Sequence, residues 1–271
     1  MQGAAGALAG VVGFPVRHSR SPAMHGAAYA ALGLDWRYLA LAVPPARFAE
    51  TVRALPASGY RGVNVTLPHK LVALSLADES SPAATAIGAA NMLTFTGGRI
   101  AADNTDAPGL IAALGEPPRD LNALVLGAGG AGRAAAWALR EAGARDVAIW
   151  NRTPERAQAL ARDLDLRAVA RPERADVLVN ATTIGLNPSV DEQSALEMLG
   201  LGELDPPPTV VDLVYATGTT PVCAWAERGG SRVVDGLEVL VRQGALSFEL
   251  WTGQTAPIHV MREAARGGPS A

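Results

Sequence analysis

Apolar positions along this chain follow two periods, and the alternation between them predicts its elements. Val11 to Gly13 is a short apolar run, and Pro22 to Leu32 repeats apolar residues at helical spacing. Tyr38 to Val43 reads as a strand, Pro45 to Leu55 as a helix, and Gly62-Val63-Asn64-Val65-Thr66 as a β-rich run, with a further helix after Pro68. Met92 to Thr96 and Ile100 to Ala102 flank Gly97-Gly98, which predicts a hairpin because two glycines permit the positive φ of a tight turn. This half of the chain is α/β.

Beyond Gly115-Glu116-Pro117-Pro118, read as a loop, Leu121 to Leu126 is a near-continuous apolar strand that runs into Gly127-Ala128-Gly129-Gly130-Ala131-Gly132. Arg133 to Ala142 is strongly helix-forming. Strands are expected at Val147 to Trp150, Val177 to Asn180, Thr209 to Val214 and Arg232 to Val234, separated by helix-sized intervals, as in a doubly wound parallel sheet. A last amphipathic segment covers Leu237 to Trp251, and an irregular tail is expected from Arg266 to Ala271.

The glycine-rich run has a mechanism because it follows a strand and opens a helix. Gly127 allows the sharp turn, Gly129 lets backbone approach a pyrophosphate, and Gly132 lets helix and strand pack closely. A pyrophosphate would then sit on unpaired N–H groups at the positive end of the helix dipole. Where sites for the non-phosphorylated dinucleotide carry an acid for the ribose hydroxyls, this chain has Asn151-Arg152-Thr153, with Arg156 one turn later. A carboxylate would repel a 2′-phosphate, whereas arginine grips one bidentately, so NADP is favoured over NAD.

Composition narrows the rest. With 271 residues, 49% of them hydrophobic, the chain can bury two cores. A net charge of −3 with interspersed signs leaves no footprint for nucleic acid or an anionic membrane. No run approaches the ~18 apolar residues of a membrane span, and Met1 to Gly10 lacks a basic leader region, so a cytoplasmic location is expected. The single cysteine, Cys223, and four scattered histidines exclude a disulfide framework and speak against a metal site. Of 23 basic residues only Lys70 is a lysine. Its amine can exchange a proton where a guanidinium cannot.

Three segments of the first half are more polar than their surroundings require. In His18-Ser19-Arg20-Ser21-Pro22, capping with Pro22 at the first helical position accounts for Ser21 but leaves Ser19 unexplained. Asn64 to Lys70 carries the sole lysine off the carboxyl end of a strand, where ligands of open α/β sheets gather. Asp103-Asn104-Thr105-Asp106 clusters carboxylates and amides where the two halves meet in sequence.

These segments, with Gly13-Phe14-Pro15-Val16, Gly88-Ala89-Ala90-Asn91, Gly127 to Gly132, Asn151-Arg152-Thr153, Asn180-Ala181-Thr182, Asp212-Leu213-Val214-Tyr215, Asp235-Gly236 and Gln243, resemble the shikimate dehydrogenase family over nearly the whole chain. The resemblance implies that Ser19, Ser21, Thr66, Lys70, Asn91, Asp106, Tyr215 and Gln243 surround shikimate, with Lys70 and Asp106 as the catalytic pair. It also puts Thr182, Leu213 and Gly236 at the cofactor beside Gly127, Ala128, Gly129, Gly130, Ala131 and Gly132. A ring acid with several hydroxyls suits such short polar groups, and the serines suit its carboxylate.

The expected architecture is a substrate domain of residues 1–104 completed by a C-terminal helix within 238–271, and a Rossmann-type NADP domain of residues 105–237, with a cleft between them. The expected partner is a small molecule, the assembly a monomer or homodimer. The pattern departs from the family at Met92, at Ala107-Pro108-Gly109 after the aspartate, and in the loop after Tyr215. An enzyme acting on quinate or an amino analogue, or a non-catalytic NADP-binding sensor, are the competing readings.

Overall fold

The computed structural model describes residues 6–216 and 218–267, and the chain divides into two units, residues 1–105 with 240–271 and residues 106–239. The sequence pattern puts these divisions at 104 and 238.

In the first unit, β1 (Ala7–Gly13), β2 (Trp36–Ala42), β3 (Tyr60–Val65), β4 (Glu79–Ser80), β5 (Met92–Thr96) and β6 (Arg99–Asp103) form one sheet in the order β2-β1-β3-β5-β6-β4. Only β5 runs antiparallel to its neighbours; the other pairings are parallel. The connections are α1 (Ser21–Ala31), α2 (Phe48–Ala54), α3 (Lys70–Leu76) and α4 (Pro82–Ile87). Central β1 is buried along Ala9 to Gly13, as a strand covered on both faces requires, while edge strand β2 buries only Tyr38. Phe48 and Val52 of α2 bury against Val63, Val65 and Leu93 of the sheet. Each such side chain contributes roughly 1.5–3 kcal/mol by leaving water.

The second unit opens with α5 (Asp106–Leu114) and continues through β7 (Asn122–Leu126), α6 (Gly130–Glu141), β8 (Asp146–Trp150), α7 (Pro154–Leu164), β9 (Arg167–Ala168), β10 (Val177–Asn180), α8 (Glu192–Met198), β11 (Thr209–Asp212), α9 (Pro221–Arg228) and β12 (Arg232–Val234). Its sheet is entirely parallel with the order β12-β11-β10-β7-β8-β9. Strand order therefore reverses between β7 and β10, which makes the carboxyl ends of those two strands the switch point. α10 (Gly236–Thr252) then runs through the division into the first unit, where α11 (Ile258–Arg266) packs on α1. Among the described residues, no helix is long and apolar enough to cross a membrane.

Local differences from the sequence expectations have local causes. The segment Ala107-Pro108-Gly109, where the pattern departs from the family, lies inside α5. Pro108 falls in the first turn, where a missing N–H costs nothing, and Ala107 and Gly109 are buried. The Pro45 to Leu55 helix is a 3₁₀ turn at Pro45–Arg47 followed by α2. Strand β11 stops at Asp212 instead of Val214, because the Asp212 carboxylate takes the Val214 N–H. Helix α6 begins at Gly130, within the glycine run, three residues before the predicted start. Arg266 closes α11, and the rest of the expected tail from 268, like Thr217, lies outside the described residues.

Candidate active site

In the first unit, backbone hydrogen bonds gather the predicted residues at the carboxyl ends of β1 and β3. Thr66 N–H bonds Val12 O at 2.9 Å, and Phe14 N–H bonds Leu67 O at 3.0 Å, so the two strand exits lie side by side. Gly13 is required there: a Cβ on it would come within 2.3 Å of Thr66 Cγ2. From β1 the chain enters α1 past Ser19 and Ser21. The capping expectation needs correction, since the helix starts at Ser21 with Arg20 as its N-cap and Pro22 second. It is Ser19 whose Oγ accepts an entering N–H, from Ser21 at 3.3 Å, while Ser21 makes no cap and is buried.

From β3 the chain turns through Thr66 to half-buried Lys70, the first residue of α3. Ala90 N–H bonds Lys70 O at 2.9 Å and Val65 N–H bonds Asn91 O at 2.7 Å, which ties the Asn91 segment to the lysine turn. His69, matched in the sequence but given no role there, locks that turn. Its ring stacks on Phe48 at 4.2 Å and its Nε2 lies 2.8 Å from the Val43 carbonyl. Burial holds the imidazole below its usual range despite that hydrogen bond, so the neutral ring donates from Nε2.

Asn91 and Gln243 are both buried and meet directly, with Asn91 Nδ2 donating to Gln243 Oε1 at 3.2 Å. Around them runs a polar network that sequence reasoning did not foresee. Asn91 Oδ1 accepts the Thr105 N–H at 2.7 Å, and Asn91 Nδ2 donates to Thr105 Oγ1 at 2.9 Å. Thr105 Oγ1 lies 3.2 Å from Ser247 Oγ, which accepts from Asn64 Nδ2 at 2.8 Å. Tyr38 Oη closes the chain by donating to Asn64 Oδ1 at 2.7 Å. Each buried polar atom thus holds a neighbour, and Thr105 is fixed immediately before Asp106 in the chain. An asparagine in a β-run was the only signal, and nothing in its spacing names partners 27 and 183 residues away.

In the second unit the glycine turn has three distinct environments. Gly127, at φ +106°, lies against Ala181 O, which a Cβ would meet at 2.9 Å. Gly132 is closest of all, its added Cβ falling 2.0 Å from Gly127 O. Gly129 instead faces open space, with nothing within 4 Å of its Cβ position, and as N-cap of α6 it brings no side chain to the free N–H groups of Gly130, Ala131 and Gly132. That open cradle at a helix N-terminus at the switch point fits a dinucleotide pyrophosphate.

Asn151 is already committed: its Oδ1 accepts the Ala128 N–H at 3.2 Å and its Nδ2 donates to Thr153 O at 2.9 Å. It therefore joins the glycine turn to the Arg152 turn. Arg152, Thr153 and Arg156 are exposed around the start of α7. Arg133, Arg140, Arg167 and Arg228 each meet a carboxylate. Among the described residues neither Arg152 nor Arg156 does, which leaves their charge for an anionic ligand.

Beyond β10 and β11, Asn180 Nδ2 donates to Asp212 Oδ1 at 2.8 Å, and Asn180 Oδ1 accepts the Thr182 N–H at 3.1 Å. Burial pushes the Asp212 carboxyl up to about 6, against hydrogen bonds from Thr220, Val214 and Asn180 that favour its charged form. Half-buried Leu213 and Tyr215 follow Asp212, and the Gly236 backbone sits on this loop, since a Cβ there would meet Val214 O at 2.5 Å.

Three family models match successive parts of the chain: the shikimate dehydrogenase substrate binding domain at residues 11–93, shikimate / quinate 5-dehydrogenase at 113–212, and the shikimate 5′-dehydrogenase C-terminal domain at 236–266. The shikimate dehydrogenase (NADP(+)) of Methanopyrus kandleri is 42% identical, over 95% of this chain and 94% of its own. The structure of shikimate 5-dehydrogenase from Thermus thermophilus in complex with NADP(H) and shikimate superposes with a TM-score of 0.83 at 44% identity, covering 96% of this chain and 99% of that one. A ligand-free 5-ketofructose reductase of a Gluconobacter strain reaches a TM-score of 0.81 at 30% identity, over 97% and 98% of the two chains. With relatives this similar over nearly its full length, and with the glycine cradle, free arginines and lysine turn in place, the chain belongs to the shikimate dehydrogenase family.

Proposed function

We propose that this protein interconverts shikimate and 3-dehydroshikimate using NADP(H). The observation that carries the reading is the lysine turn: the chain's only lysine opens α3, its carbonyl bonded to the Asn91 segment and its neighbour His69 clamped by Val43 and Phe48. In this reading Ser19 and Ser21 receive the substrate carboxylate, while Thr66, Asn91, Tyr215 and Gln243 hydrogen-bond its hydroxyls. Residues 1–104 and the helix within 238–271 form the substrate domain, and residues 105–237 the NADP domain. Gly127 to Gly132 cradle the pyrophosphate, Arg152, Thr153 and Arg156 hold the 2′-phosphate beside Asn151, and Thr182, Leu213 and Gly236 line the nicotinamide side.

Bound NADPH supplies the hydride that reduces the carbonyl carbon. The chain supplies the proton: the Lys70 ammonium donates to the oxygen that becomes alkoxide-like, with Asp106 as its catalytic partner. In the oxidative direction neutral Lys70 accepts the hydroxyl proton and returns it to solvent. Such general acid–base participation is typically worth about 10² to 10⁴ in rate. Positioning the reactants supplies much of the remainder.

The same reading takes the protein as cytoplasmic and as a monomer or homodimer. The test is NADPH formation from NADP and shikimate, followed by absorbance, with quinate and NAD as controls. Turnover of quinate, or of NAD, at a comparable kcat/KM overturns the assigned selectivity; no turnover at all overturns the reading.

A further inference from the structure

Asp212 ends β11 fully buried, and among the described residues no cation accompanies it. A carboxylate in such surroundings is costly unless donors satisfy it, and an apolar residue of similar size there would often be more stable. Its three donors come from two segments, the connection after β11 and the end of β10. Val214 N–H bonds Oδ1 at 3.0 Å, Asn180 Nδ2 bonds Oδ1 at 2.8 Å, and Thr220 Oγ1 bonds Oδ2 at 2.5 Å.

Two of these donors stand near the two ends of one loop. Val214 is the second residue past the strand, Thr220 directly precedes α9, and Tyr215 lies between them. The third donor passes the constraint to β10. Asn180 Oδ1 accepts both the N–H and the hydroxyl of Thr182, at 3.1 and 2.8 Å, and Thr182 Oγ1 accepts the Ile184 N–H at 3.1 Å. Thr220 has a capping bond of its own, from Cys223 N–H at 3.2 Å, which needs no carboxylate behind it. Capping α9 therefore explains Thr220 and leaves Asp212 unexplained.

We infer that Asp212 is a positioning residue: one buried carboxylate clasps the Tyr215 loop at both ends and, through Asn180, fixes Thr182. The inference rests on the function proposed above for the roles of Tyr215 and Thr182, but the clasp itself does not. A hydrogen bond to a charged group is worth roughly 10- to 150-fold in an equilibrium. Releasing one end of the loop loosens Tyr215 without touching it.

The test compares wild type with Thr220→Val, Thr220→Ser and Asp212→Ala. Two readouts are taken: KM and kcat in NADP-linked shikimate oxidation, and hydrogen exchange of the 213–220 peptide without ligands. Thr220→Val is expected to raise KM for shikimate about fivefold, with KM for NADP changed less than about twofold, and to speed exchange about tenfold. Thr220→Ser returns both to within about twofold of wild type, and Asp212→Ala raises both KM values. Thr220→Val also removes the Cys223 cap of α9, so it carries the decision together with Asp212→Ala, which leaves that cap in place and must speed exchange of the same peptide. Wild-type KM and exchange in Thr220→Val, or a kcat loss that merely follows the folded fraction, overturns the clasp. A wild type that forms no NADPH refutes the functional reading instead, and the exchange experiment then decides the clasp alone.

Discussion

Alanine at Gly129 and at Gly132 adds the same single carbon to the same glycine turn, yet the two variants should fail in different ways. At Gly132 the new Cβ would lie 2.0 Å from the Gly127 carbonyl oxygen, a backbone atom with no side-chain freedom to yield. Reaching an ordinary contact requires α6 and the end of β7 to separate by more than about 1 Å, and overpacking of this kind costs about 1–3 kcal/mol. Replacing a helical glycine with alanine returns about 1 kcal/mol of propensity, so the net loss is at most about 2 kcal/mol. In a unit this size that lowers Tm by about 4–8 °C, and a 1 Å displacement of the cofactor cradle costs up to about 10² in kcat/KM. At Gly129 the Cβ meets nothing within 4 Å, and φ is −86°, which alanine adopts readily. The Gly129→Ala melt should therefore stay within about 3 °C of wild type, while KM for NADP rises at least about tenfold because the methyl fills the space the pyrophosphate would approach. Melting curves without cofactor, and initial rates with NADP varied, separate the two. Equal melts for both variants, or an unchanged KM for NADP in Gly129→Ala, would show that these glycines do not have the roles given to them.

Lys70→Arg keeps the charge but not the exchangeable proton, so kcat should fall about 10²-fold or more with KM for shikimate changed little; near-normal kcat with the wild-type pH profile removes Lys70 as proton carrier. Arg152→Ala and Arg156→Ala should each raise KM for NADP about tenfold or more and leave KM for NAD nearly unchanged, and equal losses with both cofactors would sink the 2′-phosphate assignment. His25 is fully buried, stacked on Tyr38 at 4.1 Å with neither ring nitrogen hydrogen-bonded among the described residues, and burial holds it at about 3 instead of 6.5. The unfolded chain then binds the extra proton below pH 6.5, so this stability is full above 6.5 and is lost as pH falls toward 3. His25→Phe should gain on wild type by about 3 kcal/mol between pH 7 and pH 4, and denaturant melts showing parallel pH slopes would refute the assignment. Asp212, raised from 3.8 to about 6, acts with the opposite sign in both proteins and cancels from that comparison.

Periodicity and local chemistry determined much of this protein without a fold. The apolar run before Gly127 specified a strand covered on both faces, and the glycine spacing specified a turn into a helix, because both are constraints within a few residues of chain. Lys70 stood out by composition, and Arg152 by replacing a carboxylate, for reasons that hold wherever those side chains end up. Short elements escaped. β4 and β9 have two residues each and no period to read, and α5 hides its first turn behind Pro108 and Gly109.

What the tertiary structure alone decided is which atoms stand behind the candidate residues. Ser247 Oγ reaches Asn64 across 183 positions, Gly236 lies against the Val214 carbonyl, and Asn180 and Thr220 converge on Asp212 from different strands and loops. Such partners come together only when strands take their places in a sheet, and a buried donor acquires an acceptor by that placement, not by its spacing in the chain. The sequence could therefore name Asn91, Tyr215 and Thr182, whereas the groups that hold them still belong to the fold.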